Sequence, residues 1–303
     1  MQLPYRGMCS GALRDPEGVG VRRFSGQSEA SGPSSNAQFL PRRPRFGATN
    51  GHPGNARTLA TYWRQRVPLK LELYDFRNAL PIVEQSYATV WREFQQQLES
   101  ISANDISELH RGFVRAAVDK KRRPQAGAQT AINQLIDRRL GANGWRKQPP
   151  LYVGGDRRGH ELAGWKMDFK KERVGVEIAF NHQEAIPWIF TRLNLAGESK
   201  EVLADSRIQV GIAAFAAQSL KAWGRMDATV GTFGQAKLWL EKMRPVMPVP
   251  IVVVGLSAAD PDGTPWPLSD AFRGTLKGRA YGKEIELPEW LIAERLPEDD
   301  ASS

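Results

Sequence analysis

Gly164-Trp-Lys-Met-Asp-Phe-Lys-Lys-Glu-Arg-Val-Gly-Val-Glu-Ile-Ala-Phe-Asn181 is the stretch that decides how this chain is read. Its two alternating apolar arms flank a charged turn, Lys170 to Arg173, the pattern of a β-hairpin. A two-residue loop at Glu172 and Arg173 pairs 171 with 174, 170 with 175, 169 with 176 and 168 with 177. Asp168 then faces Glu177. Opposed side chains on one sheet face have Cβ atoms about 4.5–5.5 Å apart, and like charges placed there repel. Two such carboxylates need a cation or a proton. A Mg²⁺ site fits, because that ion takes oxygen ligands and is commonly held by one or two carboxylates, with water and phosphate oxygens completing its shell. The bland alternative is a solvated hairpin with acids on its wet face. Against it, the second arm is apolar on both faces except at Glu177, and a lone acid in a buried strand requires a partner.

The chain has 303 residues, enough for one large domain or two modest ones with a substantial core. Its formal charge of +9 makes a polyanion a plausible partner, although basicity bears equally on solubility. The single cysteine, Cys9, excludes a disulfide framework and a thiolate metal cluster. His52, His110, His160 and His182 have no ligand-like spacing, and Gly154-Gly155-Asp156 lacks the spacing and terminal Lys-Ser/Thr of a phosphate-binding loop. No apolar run approaches a membrane span, and the opening residues do not form a secretory signal, so a cytoplasmic location is expected.

Outside the hairpin, residues 1–57 are rich in Gly, Pro, Ser and Arg and read as a disordered basic leader. Arg42, Arg43 and Arg45 within it suit either phosphate contacts or plain solvation. Leu69 to Leu73 alternate as a strand. Val83, Tyr87, Val90, Trp91, Phe94, Leu98 and Ile101 recur at helical spacing, as do Ile106, Leu109, Phe113, Val114 and Ala117, with Asp105 as the expected N-cap of the second set. A basic run, Lys120 to Arg123, follows; it suits a solvated surface or a DNA backbone. Further helices are expected over Gln129–Leu140, after Asn181 with Pro187 in the first turn, and over Phe233–Met243 capped by Thr232. Apolar strands are expected over Arg207–Phe215 and Pro250–Leu256. Strands alternating with helices point to an α/β core, here taken as one domain over 58–295 with a flexible tail over 296–303. Within it Arg273 to Lys283 form a second basic segment, suited to a hairpin near DNA.

The hairpin resembles the active-site hairpin of the BglII/BstYI type of restriction endonuclease, within the PD-(D/E)xK nuclease superfamily. In that family an Asp, a nine-residue step and a Glu-x-Gln or Glu-x-Glu bind the catalytic metal; Asp168 and Glu177 match the first two positions, and the third is Ala179. Leu69 to Ala79 resembles the opening strand and turn, Trp145-Arg-Lys-Gln148 a segment ending at an auxiliary polar position, and Val249 to Leu256 a late core strand. The resemblance implies a restriction-endonuclease-like core, a central mixed β-sheet flanked by helices. It also implies a homodimer that cuts double-stranded DNA at a short palindrome with Mg²⁺, as part of a restriction-modification system.

Metal ligands on this reading are Asp168, Glu177 and the backbone carbonyl of Ala179, whose side chain cannot serve. The hairpin register places Lys166 opposite Ala179 on the face of Asp168, and Lys170 opposite Gly175 further along it. Either lysine can orient water and offset phosphate charge, or be a solvated end. Asn181, next on the face of Glu177, and Gln148 complete the candidates. The alternatives are a DNA-binding protein of this fold whose site has decayed, which Ala179 favours, another class of metal-dependent enzyme, and a basic scaffold.

Overall fold

Alternation in the apolar segments builds a six-stranded sheet. The computed structural model describes residues 68–120, 122, 127–152, 165–260, 262–272 and 289–295. All belong to the second of two units into which the chain divides, Met1–Asn50 and Gly51–Ser303. The leader, Lys121 and Arg123 of the basic run, the Gly154–Asp156 stretch, the 273–283 segment and the 296–303 tail lie outside the described residues.

Strand β1 (Lys70–Phe76) is followed by helices α1 (Ala79–Ser86), α2 (Ala88–Glu99), α3 (Ala103–Asp119) and α4 (Gln129–Ala142). Then come β2 (Arg146–Lys147), β3 (Phe169–Lys171), β4 (Val174–Ala179), α5 (Ile186–Glu198), β5 (Val210–Ala216), α6 (Gln218–Trp223), α7 (Phe233–Met243), β6 (Ile251–Ser257) and α8 (Glu289–Arg295). Sheet order is β1-β6-β5-β4-β3-β2. The centre, β6, β5 and β4, is parallel, while β1 and β3 add antiparallel partners on either side and β2 pairs antiparallel to β3. This is the expected mixed sheet flanked by helices.

The period-two rule divides the core between the faces. Val174 and Val176 of β4, Val210, Ile212 and Ala214 of β5, and Val252 and Val254 of β6 pack under α1–α4. Ala179, Ala213, Phe215, Ile251 and Val253 point the other way, under α5 and α7. A Cβ on Gly255 would lie 2.7 Å from the Phe233 ring, so α7 sits this close only because that strand position is glycine.

Local signals decide the helix ends. Thr232 caps α7 as expected, its Oγ1 accepting from Gln235 N–H. Ser102, not Asp105, caps α3. Asp105 is the third helical residue: its N–H donates to Ser102 Oγ, and its carboxylate accepts in return from the Ser102 N–H, completing a capping box. The helical pattern from Val83 to Ile101 breaks at Tyr87 into α1 and α2. Pro187 sits in the first turn of α5, and among the described residues no helix is long and apolar enough to cross a membrane.

Candidate active site

The hairpin forms in the expected register, with Lys171 opposite Val174, Lys170 opposite Gly175 and Phe169 opposite Val176. Glu172 takes a left-handed conformation at the tip, φ 51°. Hydrogen-bonded pairs alternate along an antiparallel ladder, so the next after 171:174 and 169:176 would be 167:178. Instead, the Ile178 N–H donates to Asp168 Oδ2 at 2.8 Å. The carboxylate replaces the Met167 carbonyl, and the first arm leaves β4 at this point. It is captured by the segment after β2: Gln148 N–H donates to the Asp168 carbonyl at 2.9 Å, Met167 N–H to the Pro149 carbonyl at 3.2 Å, and Leu151 N–H to the Trp165 carbonyl at 2.9 Å.

Divergence of the arms changes the placement of Lys166. It bridges to Pro150 and is exposed, and it is not paired with Ala179 as a continued ladder would require. Lys170 is opposite Gly175 as expected, but its Nζ donates to the Glu172 carbonyl at the hairpin tip. Burial pushes the Lys170 pKa down, with Arg173 and Arg146 adding to the effect and Asp205 opposing it.

Glu177 is 1% exposed, on the sheet face covered by α5. A parallel crossover from β4 to β5 carries α5 back across that face, and Arg192 reaches Glu177 from the flank of the helix's buried stripe. The guanidinium engages both carboxylate oxygens, Nε to Oε1 at 2.9 Å and Nη2 to Oε2 at 2.5 Å. Such a fork matches a carboxylate in shape as well as charge. The cation that the opposed acids require is therefore present within the chain.

Burial nevertheless outweighs this pairing. The Glu177 carboxyl is pushed up to about 7, first by loss of water and further by the Asp168 charge, while the Arg192 hydrogen bonds pull it down. Asp168 is raised as well, again by burial, against the Ile178 N–H and the Arg192 charge. Arg192 is held more firmly protonated by Glu177. A buried ion pair whose desolvation exceeds its attraction behaves in this way.

Ala179 is 2% exposed and lies in the apolar cluster with Ile186, Ile189 and Phe190 of α5. Its carbonyl does not face the Asp168 side. The Arg173 carbonyl accepts from Gln209 N–H at 2.8 Å, at the entrance to β5, and carbonyls on one strand alternate between neighbours. Those of Gly175, Glu177 and Ala179 thus turn to β5. Ile178 turns its carbonyl to the edge left open by the departing arm. Asn181 is exposed, its carbonyl accepting from Gly231 N–H at 2.9 Å, whereas Gln148 is exposed with φ 45° and touches the site through its backbone.

Arg192 is the residue that sequence reasoning missed. Two signals were available: a buried strand acid without a partner, and an arginine three residues after Ile189 on the helix that returns over the same strand.

A hard divalent ion suits this donor set. Asp168 and Glu177 supply anionic oxygens from opposed positions, and Asp168 Oδ1 makes no hydrogen bond among the described residues. Among those residues no group of three or more His, Cys, Asp or Glu comes together, so an ion here would depend on two carboxylates, with water or phosphate completing its shell.

A family model described as restriction endonuclease BglII/BglIII matches residues 71–256, from the second residue of β1 to near the end of β6. The chain belongs to this family. The matched span contains the whole hairpin and all six strands but for the first residue of β1 and the last of β6. Among solved structures, the restriction endonuclease BglII complexed with a DNA 16-mer is 17% identical, with a TM-score of 0.43 over 62% of this chain and 76% of that one. Free BglII is 15% identical, with a TM-score of 0.36 over 62% and 79%. No curated protein sequence matches.

Proposed function

We propose that the protein is a type II site-specific deoxyribonuclease, hydrolysing phosphodiester bonds of duplex DNA at a short palindrome with Mg²⁺, and acting as a homodimer. The observation that carries this reading is the acid pair of half-buried Asp168 and buried Glu177 on the hairpin of a chain that belongs to a restriction endonuclease family. A basic formal charge of +9 agrees with a polyanionic partner.

When bound at such a pair, Mg²⁺ acts as a Lewis acid on the phosphate and lowers the pKa of a coordinated water. The protein's own contribution is placement. Ile178 N–H fixes one oxygen of Asp168, Gln148 N–H fixes its backbone, and Arg192 orients Glu177. Burial keeps bulk water from Glu177, so that its carboxylate, once deprotonated, attracts a cation more strongly than an exposed one would. The Ile178 carbonyl, facing the open edge, is a better-directed backbone ligand than that of Ala179. Lys166 and Asn181, both exposed, remain within the same hairpin region as groups for water or phosphate.

One observation favours a second reading, a DNA-binding protein of this fold without catalysis: the third position is a buried alanine, and Arg192 already neutralises Glu177. Incubation of mixed-sequence duplex DNA with the protein, with Mg²⁺ and with chelator, separates the two. Discrete fragments only with Mg²⁺ support the nuclease; binding without fragments supports the second reading.

A further inference from the structure

The acid pair is already charge-balanced in part by a residue that no strand position supplies. Arg192 uses two donors on both oxygens of Glu177, and these are the hydrogen bonds its guanidinium makes among the described residues. Its side chain is 25% exposed while that of Glu177 is 1% exposed. The arginine therefore has a route to water that the glutamate lacks. A divalent ion bound to Glu177 would draw on the same oxygens and bring a second positive centre against a guanidinium that cannot lose its proton. Repulsion between such neighbours in a site screened from water amounts to several-fold more than at the surface.

We propose that Arg192 is the resident cation of the acid pair and that a divalent metal binds by displacing it from Glu177. The inference rests on the metal-dependent reading above and concerns the order of events at that site. In metal-free protein the arginine holds Glu177 in place; with metal, its fork is released toward the exposed side.

The test is Mn²⁺ binding by calorimetry and thermal unfolding with and without Mn²⁺, in DNA-free wild type, Arg192→Gln and Arg192→Lys. Mn²⁺ shares the oxygen-ligand preference of Mg²⁺. Displacement predicts that Arg192→Gln binds Mn²⁺ about tenfold or more tightly than wild type, and gains more in Tm from the ion. Arg192→Lys, which keeps the charge without the fork, should fall between. If Arg192→Gln folds only when Mn²⁺ is supplied, the ion has taken the arginine's place and the proposal holds. Equal or weaker binding in Arg192→Gln overturns it, as does absence of Mn²⁺ binding in all three proteins. So does an Arg192→Gln that never folds together with an Arg192→Lys that binds no more tightly than wild type. DNA cleavage by wild type is scored separately: affinities in the predicted order without cleavage would retain the role of Arg192 and remove the nuclease.

Discussion

Replacing Glu177 by glutamine should remove the pH dependence that this residue gives to the fold. The carboxyl is buried, with a folded pKa of about 7 against an ordinary value of 4.5. Below the lower value it is protonated in both folded and unfolded chains and carries no charge into the core. As pH rises from there to neutrality the unfolded chain gives up its proton more readily, so stability falls; above the folded pKa the loss is complete. With each pKa unit worth about 1.4 kcal/mol, the full loss is about 3 kcal/mol. Asp168, also raised, acts in the same direction. Glu177→Gln keeps the shape and a hydrogen-bond acceptor for Arg192 but has no proton to lose. Its stability relative to wild type should therefore improve by about 2–3 kcal/mol between pH 5 and pH 8, equivalent to about 5–10 °C in Tm for a domain of this size. Urea unfolding of both proteins at pH 5, 6.5 and 8, with chelator present, reads the difference. Parallel curves across that range, or a wild type that gains stability toward pH 8 relative to the variant, would refute the reasoning.

Lys166→Ala should change single-turnover cleavage by no more than about threefold, since the exposed side chain is not paired with Ala179; a loss of a hundredfold would return it to the centre of the chemistry. Ala179→Glu should lose about 2–4 kcal/mol in urea unfolding at pH 8, because its charge would enter the cluster of Ile186, Ile189 and Phe190, and unchanged stability would show that this region opens readily. Ser102→Ala should cost about 1 kcal/mol by removing the cap of α3, measured the same way, whereas Asp105→Ala should cost less if Ser102 carries the cap. Deleting residues 1–45 should leave Tm within a few degrees, as expected for a segment without periodic apolar residues; a large drop in a thermal scan would show that it packs.

The hairpin was legible because its signal is local. Alternation from Phe169 to Phe180 and the charged tip set the 171:174 register, and with it the nearness of Asp168 to Glu177. Thr232 and the apolar runs of β5 and β6 were legible for the same reason. What escaped depended on contacts distant in sequence. Continuing the ladder past Asp168 placed Lys166 against Ala179, but a carboxylate accepting from Ile178 N–H and the backbone of residues 148–151 divert the arm. Asp105 looked like a cap because Asp is a good one, yet Ser102 three residues earlier forms the reciprocal pair. The Ala179 carbonyl looked available until the parallel neighbour β5 showed which carbonyls face which strand. Arg192 lies fifteen residues beyond Glu177, and only the crossover of α5 brings it back.

The central claim is that Asp168 and Glu177 form a Mg²⁺-dependent nuclease centre, and single-turnover cleavage of a mixed-sequence duplex tests it most directly. Wild type, Asp168→Asn and Glu177→Gln are compared with Mg²⁺ and with chelator, and DNA affinity is measured beside each rate. Wild type should cut only with Mg²⁺, and both variants should bind DNA with near wild-type affinity while losing most turnover, the pattern of groups used in the transition state. Equal cleavage by all three proteins, or cleavage by wild type that persists in chelator, would contradict it.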